Sequence, residues 1–434
     1  MSKPDLVDAY RDLRRDLHQH PEPAWCEFYT TARIVDELET RKIDDLLYGP
    51  AIHAADARPN VPDADTLAEW RQRACEAGAD DAVLDRIDEG FTGAVAVVER
   101  GAGPTVALRV DIDALPITEA DNDDHHPARG GFRSTNEGFM HACGHDAHAT
   151  IGLGVLDRVL DSDFAGTFKL IFQPAEETIS GGKPIAESGV VDDVDHLLAL
   201  HIGLDHPSGE VVAGIDEFLA VRQFEATFRG ESAHAGARPG DGDNAVQAMA
   251  AAIQNLYSIP RHSAGGTRVN AGRVGGGTAS NIVPETAFIE GEVRGETTEL
   301  MEYMWEHAEG VLEGAATMHD CGVDIERLGD APSAHSDAAL VSVVDRVARH
   351  TAGVERVIKG DSLGGSEDAT YLMGRVQDLG GTAAYVGVGT DHPGGHHTPM
   401  FDVQERDIGV GIDLIAGVVD DLTDGRDVTT PPEQ

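Results

Sequence analysis

Met140-His141-Ala142-Cys143-Gly144-His145-Asp146-Ala147-His148 sets a thiol, three imidazoles and a carboxylate around one glycine, the side-chain chemistry of a metal site. Cys143 and His145 stand two residues apart, and Gly144 lets the backbone turn sharply enough for both to reach one centre. A buried cysteine beside surface histidines would look the same in isolation, so ligand types elsewhere decide the matter. Glu176-Glu177 follows Gln173-Pro174-Ala175, His201 closes Leu197-Leu198-Ala199-Leu200, and His396-His397 lies near the C-terminus, each at the end of an apolar run.

Around these positions the apolar pattern predicts an α/β sheet. Residues 94–98 and 105–110 are short β-branched runs separated by Gly101-Ala102-Gly103-Pro104, which predicts a strand pair. Residues 151–160 read as a helix, and 167–172 and 197–200 as buried strands. Leu6, Tyr10, Leu13 and Leu17 recur at helical spacing, with a second helix over 27–39. Residues 49–89 form a polar insertion with a helical pattern around Leu67, Trp70 and Ala74. Near Ala213 the texture changes: strands at 218–228, 268–274 and 287–293 interleave with helices at 244–256 and 297–316, a compact α+β unit. From Pro332 the α/β pattern resumes, with a helix at 337–350, a strand at 383–388 and a helix at 404–422. The expected organisation is one α/β domain, 1–212 and 332–434, with a second domain, 213–331, inserted into it. Pro431-Pro432-Glu433-Gln434 is expected to fray.

Composition narrows the function. A chain of 434 residues with 41% apolar side chains can bury sizeable cores. Its formal charge of −44 is spread along the whole length, and lysine occurs only at 3, 42, 169, 183 and 359. Nucleic acid is disfavoured, because phosphate binding needs clustered Lys and Arg. No stretch approaches the roughly 20 apolar residues of a membrane span, and four cysteines, Cys26, Cys75, Cys143 and Cys321, are too few for a disulfide framework in a chain this long. A cytoplasmic location is expected. Cys26, Cys75 and Cys321 lack neighbouring ligand types and are expected to serve packing.

An open metal site that hydrolyses amides needs protein ligands, an activated water and a general base. In Glu176-Glu177 one carboxylate can bind metal while the other accepts the water's proton. Asp111 and Asp113 close the strand at 105–110, where ligands bind in α/β sheets, and either is a candidate ligand or a support for a ligating histidine. Asp146 and His148 are expected to support the site or cap a helix.

Arg109-Val110-Asp111-Ile112-Asp113-Ala114-Leu115-Pro116, residues 140–148, residues 173–177, Gly364-Gly365-Ser366-Glu367-Asp368 and His396-His397-Thr398 occur in an order that resembles the M20 metallopeptidase and amidohydrolase family. They resemble in particular its cysteine-bearing branch: aminoacylases and hippurate hydrolases, plant indole-acetyl-amino-acid hydrolases and the aminobenzoyl-glutamate hydrolase A subunit. The last is similar also in His18-Gln19-His20-Pro21-Glu22-Pro23-Ala24-Trp25-Cys26-Glu27-Phe28 and in the insertion before Gly93.

The resemblance implies a metal-dependent exopeptidase-like catalytic domain with an inserted lid and dimerisation domain. It implies two divalent ions, Zn²⁺ or Mn²⁺ with Co²⁺ also suited, held by Cys143, shared between them, and by His145, Glu177, His201 and His397. Of the doublet, His397 is favoured because it directly precedes Thr-Pro-x-Phe. Glu176 is the implied general base. Relatives with His-x-Asp use that histidine as a ligand; here the position is Arg109, and Asp111 becomes a support. His234, in Ser232-Ala233-His234-Ala235-Gly236, is implied to polarise the scissile carbonyl, and Asn281 and Arg294 to bind the substrate's carboxylate. The implied activity is hydrolysis of an N-acyl or N-aroyl amino acid, aminobenzoyl-glutamate-like, by a homodimer. Its alternatives are an N-acetyl-amino-acid deacetylase or hippurate hydrolase and, in another class, a non-catalytic metal-binding regulatory subunit.

The acid-rich, lysine-poor composition fits concentrated salt, where a Debye length of about 3 Å at 1 M screens self-repulsion. Unfolding temperature is therefore expected to rise between low and molar salt; a flat or falling curve in a thermal-melt series would refute this halophilic character.

Overall fold

A computed structural model describes residues 3–423, with side chains from Tyr10 onward, so the C-terminal Pro431-Pro432-Glu433-Gln434 and the side chain of Leu6 lie outside the described residues. In chain order the strands are β1 Asp45–Tyr48, β2 Ala94–Glu99, β3 Thr105–Asp111, β4 Thr167–Gln173, β5 His196–Ile202, β6 Glu210–Val212, β7 Ile215–Asp216, β8 Ala220–Arg229, β9 Thr267–Gly276, β10 Thr286–Gly295, β11 Gly322–Ala331, β12 Arg356–Ile358, β13 Asp361–Ser362 and β14 Thr382–Val388. The chain divides into two compact units. One runs through Asp216 and takes in Ala334–Leu363 and the chain from Asp368; the other is Glu217–Ser333 with Gly364–Glu367. The second unit thus starts and ends a few residues later than the composition change implies, and it also claims most of the Gly364–Asp368 motif.

In the first unit an eight-stranded sheet has the order β1-β2-β4-β3-β5-β14-β6-β12. β2 and β3 are not a pair: β4 lies between them, antiparallel to β2 and parallel to β3. The Gly101–Pro104 turn separates two strands that do not touch, because a strand from far along the chain with a continuous apolar run competes for the same central place. β3, β4, β5 and β14 run parallel, so their carboxyl ends share one edge of the sheet.

Val106, Leu108 and Val110 of β3, Phe168, Leu170 and Phe172 of β4 and Leu198 and Leu200 of β5 enter one core with the helices Lys3–Gln19, His145–Asp161 and Glu405–Thr423. The alternate residues Ala107, Ile171 and Ala199 are buried as well, so the sheet is covered on both faces. Two of the helices meet through reciprocal glycines. A Cβ on Gly154 would stand 2.3 Å from Ile412 Cδ1, and one on Gly411 would stand 2.8 Å from Ile151 Cδ1. Each glycine is a socket for the other helix's isoleucine, a close approach that any side chain would overfill.

The helix at His145–Asp161 begins inside the metal-type motif, six residues earlier than its apolar periodicity implies. Gly144 precedes it at φ +89, and a Cβ there would lie 2.7 Å from Ile202 Cγ2, so both conformation and space demand glycine. Cys75 is exposed, contrary to the packing role expected of it. Leu67, Trp70 and Ala74 form the buried face of its helix Ala64–Glu76, and Cys75 turns away from them.

The second unit is a four-stranded antiparallel sheet, β11-β8-β10-β9. Its helices Ala245–Leu256 and Thr298–Met318 share one core with Phe224, Ala226, Phe228, Ile289 and Val293. β11 escapes sequence patterning because Asp324, Glu326 and Arg327 dilute its apolar positions on a largely exposed strand. Among the described residues no helix is long and apolar enough to cross a membrane.

Candidate metal centre

The parallel strand ends deliver the ligand types to one place in the first unit. β3 ends at Asp111 and leads to Asp113, β4 leads to Glu176 and Glu177, β5 carries His201, and the loop after β14 brings His396 and His397. The Cys143-Gly144-His145 turn enters from the start of its helix. Cys143, His145 and Glu177 each place one ligand atom within 4.8 Å of the others, and so do Cys143, His201 and His396. Cys143 belongs to both groups.

Asp113 fixes the first group. Its carbonyl and Oδ1 lie 2.9 and 3.2 Å from His145 Nδ1, so that nitrogen carries the proton and donates it, and Nε2 is left as an acceptor. Asp113 Oδ2 accepts the backbone N–H of Glu177 at 2.9 Å, tying the acid to the same anchor. His145 Nε2 and Glu177 Oε1 are then buried, 3.8 Å apart and without a hydrogen-bond partner. Two unpartnered acceptors aimed at one thiol are what a cation satisfies, so the residues fit a divalent metal. Protonation is the other way to meet the same need. Burial pushes Glu177 up to about 8. Burial opposes charge on His145, yet Asp111, Asp113 and Glu177 push it up to about 10. The pocket is short of positive charge.

Asp111 stands beside this group, and one of its oxygens also lies within 4.8 Å of ligand atoms of His145 and His148. It accepts from His148 Nδ1 and, at 2.8 Å, from Arg109, and stands 3.6 Å from His145 Nε2. Although burial opposes it, His145, His148 and Arg109 hold Asp111 well below the usual carboxylate range. His148 Nε2 accepts the Ile202 N–H at 2.8 Å, so both of its nitrogens are engaged beside His201. Arg109 also donates to Gln173 at 2.8 Å and to Asp368 at 3.3 Å, and Asp368 accepts the N–H groups of Gly181 and Gly182. Asp146 is drawn off to Arg14 and His18, at 2.9 and 2.7 Å, and fastens the first helix to the start of His145–Asp161.

Glu27 is the residue that sequence patterning misses. Ala175, immediately before Glu176, adopts φ +56, a conformation an alanine rarely takes. The fully buried Glu27 holds it: Oε1 accepts the Ala175 N–H at 2.8 Å and Oε2 accepts Thr92 Oγ1 at 2.6 Å. An acid set among apolar neighbours in Trp25-Cys26-Glu27-Phe28 was the available signal.

His201 donates Nδ1–H to the Ile202 carbonyl at 2.8 Å and turns Nε2 to Cys143 Sγ at 3.3 Å. The histidine doublet splits. His397, at φ +58 and half exposed, puts Nε2 3.5 Å from Glu177 Oε2, whereas His396 joins Cys143 and His201.

In the second unit, His234 Nδ1 accepts the N–H groups of Gly236 and Ala237, both at 3.1 Å, which leaves Nε2–H as the outward donor. Asn281 is exposed, and its carbonyl accepts the Ala235 N–H at 2.9 Å, beside the bridge between His234 and Ile282. Arg294 is not an open fork. Glu292 takes its Nε and Nη2, both at 2.9 Å, and Nη1 reaches Ser366 Oγ at 3.3 Å.

The profile of peptidase family M20/M25/M40 matches residues 107–421. The chain is 43% identical to an indole-3-acetyl-aspartic acid hydrolase of Enterobacter agglomerans over 95% of both chains. It is 40% identical to the A subunit of the p-aminobenzoyl-glutamate hydrolase of Escherichia coli (strain K12), again over 95% of both. Among solved structures, an aminobenzoyl-glutamate utilization protein from Klebsiella pneumoniae superposes with a TM-score of 0.83 at 36% identity, covering 96% of this chain and 97% of the other. A dinuclear metal binding peptidase of the M20 family from Bacillus subtilis superposes with a TM-score of 0.69 at 25% identity, covering 97% and 99%.

Asp113→Ala removes the carboxylate that orients His145 and anchors Glu177. Metal affinity is expected to fall by about 10–100-fold, the usual effect of losing such a partner, with the fold retained. Competition against a graded chelator measures it; unchanged affinity would refute the anchoring role.

Proposed function

The chain belongs to peptidase family M20/M25/M40, and from that premise we propose a metal-dependent amidohydrolase that cleaves the amide bond between an aromatic acyl group and an acidic amino acid. The carrying observation is the pair of adjacent carboxylates after β4: Glu177 within reach of both Cys143 and His145, and Glu176 with Oε2 4.0 Å from His145 Nε2. The names of the two relatives support the substrate class, since one acts on an indole-acetyl conjugate of aspartic acid and the other on an aminobenzoyl conjugate of glutamate.

Two divalent ions, Zn²⁺ or Mn²⁺, would supply the positive charge that acidifies water and polarises a carbonyl. Cys143, His145, Glu177, His201 and His397 would hold them, with Asp111 and Asp113 orienting. Glu176 accepts the proton of the attacking water on its carboxylate and returns it to the leaving nitrogen. His234 donates Nε2–H to the carbonyl oxygen as negative charge develops there. Asn281 and Arg294 bind the substrate's carboxylate, which must displace or share the Glu292 contact. An intact Glu176 favours turnover over a purely regulatory role. The homodimer is supported by β9, an edge strand that carries exposed Val274, with exposed Tyr257 and Ile282 before and after it in the chain. Four cysteines without a disulfide support a cytoplasmic, reducing location.

Glu176→Gln is expected to keep its metal and lose turnover by roughly 10² to 10⁴, the usual effect of removing a positioned base, while Glu177→Gln loses metal. Metal analysis beside kinetics on aminobenzoyl, indole-acetyl, benzoyl and acetyl conjugates separates the roles and ranks the acyl groups. Swapped phenotypes would reverse the assignment.

Amidating the substrate's free carboxylate removes a charge-assisted contact to Arg294 and is expected to lower kcat/KM at least tenfold, for about 1.5–3 kcal/mol per charged hydrogen bond. Arg294→Ala should show the same loss on the acid and little further loss on the amide. Equal efficiency on acid and amide would eliminate the clamp.

A further inference from the structure

Beside the centre lies a second group of ligand types that the proposed chemistry does not use. Asp205 stands in the Gly203-Leu204-Asp205 turn after β5, and His392 and His396 lie in the loop after β14. One ligand atom from each of Asp205, His392 and His396 falls within 4.8 Å of the other two. His392 and His396 have the His-x₃-His spacing of zinc ligands, and the two intervening glycines, at φ +79 and +81, fold the loop until the rings stand 4.7 Å apart. Among the described residues the side chains of Asp205 and His392 enter no hydrogen bond or ion pair, and His392 Nδ1 is buried without a partner. A buried imidazole nitrogen left unsatisfied beside an unpaired carboxylate is a cost that a cation relieves.

We propose that Asp205, His392 and His396 form a third divalent-cation site adjoining the dinuclear centre. Two imidazoles and a carboxylate without a thiolate suit borderline divalent ions, Zn²⁺ and Co²⁺ among them, and bind more weakly than a cysteine-bearing site. A cavity of about 490 Å³ lined by Asp205, His396, His397 and Cys143 among others adjoins the cluster. His396 also belongs to the group of Cys143 and His201, so an ion in the outer site borders the inner one.

Equilibrium dialysis of the full chain against Zn²⁺ in molar salt tests this. Wild type is expected to bind three equivalents, the third at least tenfold weaker. Asp205→Asn and His392→Gln should each lose that third equivalent alone, keeping the two tight ones and full turnover at limiting metal. The exposed Asp205 makes the first variant safe for folding. Two equivalents in wild type, or a third that survives both substitutions and so comes from surface carboxylates, would overturn the site. Loss of the tight equivalents in wild type would instead count against the dinuclear centre.

Discussion

His145 Nε2 and Glu177 Oε1 face each other 3.8 Å apart in a buried pocket, neither with a hydrogen-bond partner. Neither can turn away. Asp113 holds the far nitrogen of the imidazole and, through the Glu177 N–H, the backbone of the acid. The fold therefore holds two buried polar atoms unpaired rather than relaxing them. An isolated unpaired polar group of this kind costs about 1–3 kcal/mol, more when charged, which becomes affinity for whatever cation fills the gap. The Gly144 turn, the left-handed Ala175 and the strand ends of β3, β4 and β5 can all be understood as means of keeping that gap in place.

Much of the candidate centre was legible because its ligand types sit where apolar runs stop. Cys143, His145, Glu177 and His201 each punctuate a buried element, and periodicity alone locates such punctuation. What holds them was less legible. Glu27 acts on Ala175 from 148 residues away in sequence, and Arg109 on Asp368 from 259, and no local pattern encodes contacts of that separation. The same limit explains β2 and β3. A glycine-proline turn between two β-branched runs signals a pair, yet the strand that separates them arrives about sixty residues later. β11 was invisible for a different reason: on a sheet with one open face its charged residues are compatible with a strand but not diagnostic of one.

Arg109 shows how the support differs from that of relatives with a histidine at this position. It lies on the same face of the sheet as Asp111 and Gln173, which are cross-strand partners on β3 and β4. A guanidinium there cannot ligate a metal. It supplies instead a fixed positive charge that, with His145 and His148, keeps Asp111 ionised, so that Asp111 can hold the His148 proton while His148 accepts from Ile202 next to His201. Where such relatives place an imidazole, this chain places a fixed charge that supports the strand end carrying His201.

The acid-rich surface bears on what the site must do by itself. A net charge of −44 repels an anionic amino-acid conjugate at long range. In molar salt the screening length shrinks to about 3 Å, so that repulsion fades, but so does any electrostatic steering toward the centre. Selection of a carboxylate must then come from contacts shorter than the screening length. Glu292 on Arg294 matters in this light. It keeps the guanidinium paired, so under the proposed clamp discrimination would depend on how well the incoming group matches the geometry Glu292 already occupies.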